Sequence, residues 1–118
     1  RELSGISGVR LTVPGHDIGH AYYKYYAFVR PEELKSGWNR DRIMQAIASE
    51  GIPCAAGSCS EIYLEKAFPE SMRPAERFKT ARELGETSLM FMVHPTLSEA
   101  DMRDSARAVE KVMRLAVH

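Results

Sequence analysis

Ala21–Arg30, AYYKYYAFVR, restricts the fold more than any other stretch of the chain. Its odd positions, Ala21, Tyr23, Tyr25, Ala27 and Val29, are apolar or aromatic, while its even positions include Lys24. Aromatic and β-branched residues at a period of two make a strand with one buried face. The even face is mixed, which suits partial cover by a partner or a ligand. Such a strand needs neighbours on both sides, so it is expected at the centre of a small sheet. Pro31 ends it, because proline cannot donate to a ladder.

The other elements follow from local signals. Residues 1–20 read as a connecting arm interrupted by glycine and proline, with a short extended piece at Val9–Val13. Asn39 is a suitable N-cap and Asp41 favours the positive end of a helix dipole. Ile43, Met44 and Ile47 recur at helical spacing, and Gly51 can close a helix over 40–50. Ile52–Ala56 reads as an edge strand because of Pro53. Residues 57–72 form a long loop, and long loops in small domains often carry function. Pro74 opens a second helix to about Leu84, with Ala75, Phe78 and Ala81 as its buried stripe. Ser88–Val93 is an apolar strand, and Ser98 with Asp101 starts a third helix. Its stripe is Met102, Ser105/Ala106, Val109, Met113 and Ala116.

The expected fold class is therefore α+β. A three- or four-stranded, mainly antiparallel sheet carries helices packed on one face, in β-α-β-α-β-α order. Helices one and three would cover the face with Tyr23, Tyr25 and Val29. With 118 residues there is room for one domain, a compact body over 21–118 preceded by the arm.

Composition narrows the function classes. Sixteen basic residues balance sixteen acidic ones, so no broad attraction for nucleic acid or anionic membrane arises. No apolar run approaches the roughly 20 residues that span a bilayer. Cys54 and Cys59 are too few for a disulfide framework and read as reduced thiols in a cytoplasmic protein. The start at Arg1, without methionine, reads as a cut from a longer polypeptide.

No glycine-rich phosphate loop and no nucleophile elbow is present. His16 and His20 lie four apart, but in a Gly/Pro-containing arm that gives them no common face, and no metal site is expected. Lys24–Val29 loosely imitates an RNA-binding strand signature. Tyr25 in place of glycine, Pro31 in place of the last aromatic and the neutral charge argue against that reading. Ser58, Cys59, Ser60 and Glu61 put two hydroxyls, a thiol and a carboxylate on one loop, a set that can bind a polyol or simply meet water. Cys59 has no neighbouring base to make it a nucleophile. His94 ends the third strand, where it can reach a ligand or hydrogen-bond locally. No residue stands out as catalytic.

Three separated motifs share one order with a known family. His20-Ala-Tyr22-Tyr-Lys-Tyr25 resembles the H-x-Y-H-x-Y strand opening the small domain of DegT-type nucleotide-sugar aminotransferases. Asn39-Arg40-Asp41 with Glu50-Gly51-Ile52-Pro53 resembles that family's R-D helix and G-I-x-T/P strand. Pro74-Ala75-Glu76, then Ser88-Leu89-Met90 and His94-Pro95-Thr96-Leu97-Ser98 with Asp101, is similar to its P-x-A-E and L-S-L-P-x-H-P-x-L-S/T-x-x-D ending.

The resemblance implies the C-terminal small domain of a fold-type I, pyridoxal-phosphate-dependent enzyme. Such an enzyme, usually a homodimer, aminates a nucleotide-linked keto sugar with glutamate as donor, for example in cell-surface polysaccharide synthesis. It implies that the imine-forming lysine and the cofactor contacts lie in another domain, so that this chain alone is inactive and does not hold pyridoxal 5'-phosphate. The loop after the Ile52 strand lines the sugar side in this family, commonly as H-Y-x-P-x-H. Here Gly57–Tyr63 lacks those imidazoles and the proline. By the match, Ser58, Cys59, Ser60, Glu61, Tyr63 and His94 are the candidate substrate contacts. The alternative reading is a stand-alone, non-catalytic βα domain that binds a small regulatory ligand.

Overall fold

The computed structural model describes residues 3–118, and the first two residues of the expected arm lie outside them. Four strands form one antiparallel sheet: β1 (Val9–Leu11), β2 (Lys24–Val29), β3 (Cys54–Ala55) and β4 (Ser88–Met92), in the spatial order β1-β2-β4-β3. Three α-helices complete the α+β fold: α1 (Arg40–Ser49), α2 (Lys79–Thr87) and α3 (Glu99–Ala116). Three short 3-10 turns, Pro31–Glu33, Ile62–Leu64 and Glu70–Met72, bend the connections.

β2 is a central strand, as its sequence requires. Lys24 pairs with Met92 and Phe28 with Ser88 on one side, while Val9 pairs with Val29 on the other. It begins three residues later than expected. Tyr22 sits at φ 46°, the one left-handed non-glycine residue among those described, and this interrupts extended backbone before Lys24. The expected odd face survives only from Tyr25 onward. Ala27 and Val29 are buried, whereas Tyr23 is 84% exposed.

The odd face carries the core. Ala27, Val29, Leu89 and Phe91 from the sheet meet Ile43 and Ile47 of α1 and Val109, Val112, Met113 and Ala116 of α3. α1 starts on Asn39, whose side chain accepts the Arg42 N–H at 2.9 Å, and ends at Gly51, φ 86°. α3 has a full capping box: Ser98 accepts from Asp101 N–H, and Asp101 accepts from Ser98 N–H. Those hydrogen bonds from Ser98 hold the Asp101 carboxyl below the usual range. The stripe of α3 differs at its start, where Met102 is 53% exposed beside the open cavity it lines with Phe91 and Met92.

Two further expectations change. The piece at Val9–Leu11 is an integral edge strand, with Val9 in the core, rather than a detail of a connecting arm. Glu33 secures it: its carboxylate accepts from Gly8 N–H at 2.6 Å, Ser7 hydroxyl at 3.0 Å and Arg30 at 3.0 Å. The second helix occupies Lys79–Thr87, not 74–84. Phe78 is extended at its N-cap, and both Ala75 and Phe78 are exposed. Residues 77 and 78 are held by the preceding loop, which keeps them out of helical geometry. α2 contributes nothing to the core described above, so α1 and α3 form the helical layer. Arg40 ties α2 to that layer by donating to the carbonyls of Gly85 (3.2 Å) and Ser88 (3.0 Å), a cation at a helix C-terminus.

Leu89 and Ile47 are fully buried. Leu89→Ala and Ile47→Ala are each expected to cost about 2–5 kcal/mol by urea denaturation, against under about 1 kcal/mol for Met102→Ala. Equal losses at the three positions would contradict this assignment of the core.

Candidate functional site

The 57–65 loop leaves β3 through a close approach of backbone to ring. Gly57 has φ 89°, and a Cβ placed there would lie 2.6 Å from the Tyr26 ring, so both conformation and space call for glycine. Tyr26 points to the even face of β2, away from the core, so the loop lies on the side opposite α1 and α3. The Ser58 and Tyr26 hydroxyls share a hydrogen bond at 3.4 Å. The Ser88 hydroxyl donates to the Ala56 carbonyl and fixes the loop's root. Further on, a Cβ at Gly85 of α2 would lie 2.1 Å from Ser60 Oγ. The loop is thus wedged between Tyr26 and α2, with Ser58, Cys59 and Ser60 exposed along its crest.

Glu61 turns inward and is only 8% exposed. Arg77 donates to it twice, from Nε to Oε1 at 2.9 Å and from Nη2 to Oε2. Tyr63 hydroxyl donates to Oε1 at 2.6 Å and accepts the Phe78 N–H at 3.0 Å. The Tyr63 and Phe78 rings meet edge to face at 5.2 Å. The Arg77 guanidinium, with the Tyr63 hydroxyl, holds the Glu61 carboxyl down to about 2. Glu61 in turn raises the Arg77 guanidinium, and desolvation together with the Glu61 carboxylate raises the Tyr63 hydroxyl. Glu61 and Tyr63 therefore shape the loop, and their polar atoms are occupied within the chain. Ser58, Cys59 and Ser60 are the loop residues open to a ligand. Cys59 is held as the thiol, chiefly by its hydrogen bond with Glu65, and burial pushes Cys54 up to about 11.

His94 stands elsewhere. It follows β4 at the end remote from Ser88, and six residues of extended chain separate it from the loop's root by roughly 20 Å. Its Nδ1 lies 2.8 Å from the Thr96 hydroxyl and accepts the Thr96 N–H at 3.3 Å. It lines a cavity of about 280 Å³ with Tyr25, Phe91, Met92, Leu97 and Met102. The expected candidates thus fall at two places, the loop crest and the His94 groove. The sequence reading missed Arg77 entirely. Its signal was Glu61 itself, a carboxylate beside an apolar trio that needs a cation if it turns inward.

Among the described residues no three His, Cys, Asp or Glu side chains form a metal-binding group, and no helix is long and apolar enough to cross a membrane.

No family model and no curated protein matches the chain. Solved structures do. An aminotransferase from Psychrobacter cryohalolentis superposes with a TM-score of 0.78 and is 48% identical, over 82% of this chain and 25% of that one. The chain belongs to the same aminotransferase family as that protein. The same fold recurs in the aminotransferase TlmJ from Streptoalloteichus hindustanus, with a TM-score of 0.78 and 18% identity over 97% of this chain and 28% of that one. It recurs again in a DegT DnrJ EryC1 StrS aminotransferase from Brucella abortus, with a TM-score of 0.66 and 20% identity over 91% and 26%. The chain spans about a quarter of the length of the structures it matches.

Aminotransferases of this family imply pyridoxal phosphate, which calls for a lysine inside a cavity that also binds the phosphate and the ring. Lys35 donates to the Leu115 carbonyl at 3.1 Å, and Lys111 pairs with Glu50 at 2.6 Å. Lys66 and Lys79 are exposed, and the Lys24 ammonium lies over the Tyr23 ring at 5.5 Å. The 280 Å³ cavity is lined by no lysine or arginine. The residues of this chain do not by themselves fit the cofactor.

The depressed value of Glu61 gives a testable pH dependence. Its ordinary value is 4.5 and its folded value about 2. The clamp's contribution is complete above the ordinary value and is lost as pH falls through the folded one. Amide exchange across residues 61–78 is expected to rise about tenfold relative to the β2 core over that window. In Glu61→Gln the loop should exchange at the faster rate at neutral pH and no longer respond to acid. Wild-type protection of the loop in that variant would show that the carboxylate does not hold it.

Proposed function

We propose that this chain is the C-terminal, substrate-facing domain of an enzyme that transfers an amino group from glutamate to a keto sugar carried on a nucleotide. The observation that carries the reading is the 48% identity to an aminotransferase across 82% of the chain. The three motifs in family order support it. In this reading pyridoxal 5'-phosphate and the imine-forming lysine are held by the rest of the polypeptide, and the present domain is inactive alone. The enzyme works as a cytoplasmic homodimer, and its product feeds assembly of a cell-surface polysaccharide.

The loop contributes by orientation and water exclusion. Its hydroxyls at Ser58 and Ser60 stand on a crest braced from beneath by Tyr26, α2 and the Glu61–Arg77 pair. Hydroxyls on a rigid support bind a polyol with little ordering cost. Serines in place of the family's imidazoles offer neutral, short-range contacts, which suits a sugar whose nearby ring positions carry hydroxyls rather than charge.

The test is made on the complete polypeptide. Purified with pyridoxal phosphate, it should convert a nucleotide-linked keto sugar to the amino sugar with release of 2-oxoglutarate, followed by mass spectrometry. Ser58→Ala and Ser60→Ala should each raise KM for the sugar about fivefold, leaving the KM for glutamate unchanged. Absence of glutamate-dependent amination over a panel of keto sugars would overturn the reading. Unchanged sugar KM in both variants would remove the loop from the site.

A further inference from the structure

We propose that the groove beside His94 seats the stretch of polypeptide that runs into Arg1 in the whole protein, as an amphipathic helix lying along α3. The first described residues already trace its path. A Cβ at Gly8 would lie 2.5 Å from Val117 and 2.6 Å from Met113, so the chain passes here against the end of α3. Ile6 and Ser7 share a cavity with Glu110 and Met113. Leu3 reaches the His94 groove, beside Ala106 and Val109. Followed backward from Gly8 to Leu3, the chain moves along α3 towards its N-terminal half. Carried on in that direction, the residues before Arg1 come to lie over the groove.

α3 shows why an apolar occupant belongs there. It has 18 residues, but its buried ones run only from Ala106 to Ala116, and none of residues 99–105 is buried. The apolar stripe nevertheless continues one turn further, to Met102. Met92 and Val93 at the end of β4 and Leu97 before the cap of α3 join it, and all four side chains are exposed. The floor beneath them is Phe91 and Val109, both part of the core. Asp101, a carboxylate on the lining, is already engaged by the Ser98 N–H and hydroxyl. Contiguous apolar surface opening directly onto a core marks a contact with another piece of protein.

The local backbone says what form that piece takes. Leu3 and Ile6 stand three apart and both pack against the core. Ile6 N–H donates to the Leu3 carbonyl at 3.4 Å, and Val9 N–H to the Ile6 carbonyl at 3.3 Å. Successive turns with apolar residues at this spacing are how an amphipathic helix ends. The matched parts of the three solved structures are 25%, 28% and 26% of their chains, so proteins of that length have the polypeptide to supply such a helix. Its apolar face, continuing the line of Leu3 and Ile6, fills the opening between Met92 and Met102. The inference rests on this chain being one part of a longer polypeptide, as in the function proposed above, and not on what that polypeptide catalyses.

The test is methionine oxidation by hydrogen peroxide, read by peptide mass mapping, on three forms of the protein. These are the 118-residue chain, the same chain carrying its own preceding segment of about 25 residues, and the complete polypeptide. Met92 and Met102 are 59% and 53% exposed, and Met72, at 63%, is the control. In the 118-residue chain the three should oxidise at similar rates. With the preceding segment attached, Met92 and Met102 should slow about tenfold while Met72 does not change. The complete polypeptide should protect Met92 and Met102 to the same degree. Met102→Lys should leave the Tm of the 118-residue chain within about 1 °C but lower that of the extended chain by about 5 °C, because there it buries an unpaired charge. Equal oxidation of Met92 and Met102 in the first two forms would overturn the proposal. So would protection seen only in the complete polypeptide, which gives the groove to another part of it. Protection of the 118-residue chain that rises with its concentration gives the groove to a second copy and overturns the proposal as well. Because amination is not measured, this result stands apart from the outcome for the enzyme.

Discussion

The fold depends on the pairing of β2 with β4. These two strands carry Ala27, Val29, Leu89 and Phe91 on one face, and α1 and α3 close on it together with Val9 of β1. Ala27 is completely buried at the centre, so helices approach the sheet there as closely as a methyl group allows. β1 and β3, three and two residues long, add edges that could not stand without the central pair. The even face of the same pair carries Tyr26 and Phe28, and Tyr26 seats the loop. One antiparallel pair thus carries the core and the His94 groove on one face and the loop on the other.

The loop illustrates how a long irregular segment becomes rigid without regular hydrogen bonding. Its polar core is a single carboxylate that accepts from Arg77 in bidentate contact and from Tyr63, which also receives the Phe78 N–H. Bidentate charge-assisted bonds fix direction as well as distance. Gly57 and Gly85 permit the chain to press against a ring on one side and a helix on the other. The serines are held in place without being consumed by the holding.

Much of this was legible in the residues. The α+β class, the central strand, the first helix and the third helix with its capping box all followed from periodicity and short-range caps. Those signals are local and act within a turn or two. The failures were contacts between distant residues. The second helix was placed too early because Pro74 is a good helix opener on its own, whereas Arg77 and Phe78 are bound to Glu61 and Tyr63. Tyr23 was placed inside because alternation was carried through Tyr22, whose left-handed backbone nothing in the pattern announces. Glu61 and Tyr63 were named as substrate contacts through family likeness, and the fold adds what the sequence does not show, that Glu61 accepts hydrogen bonds from both Tyr63 and Arg77. The loop crest and His94 were grouped through family likeness, while strand geometry sets them at opposite ends of β4.

The close approaches at Gly57 and Gly85 have a consequence for how this domain can diverge. Positions 26, 57, 60 and 85 occupy one continuous line of contact from the sheet through the loop to α2. A larger residue at any one of them is admissible only with a smaller or displaced partner at the next. A substitution at one of these positions is therefore felt at the next, although the four stand on three separate elements of the fold.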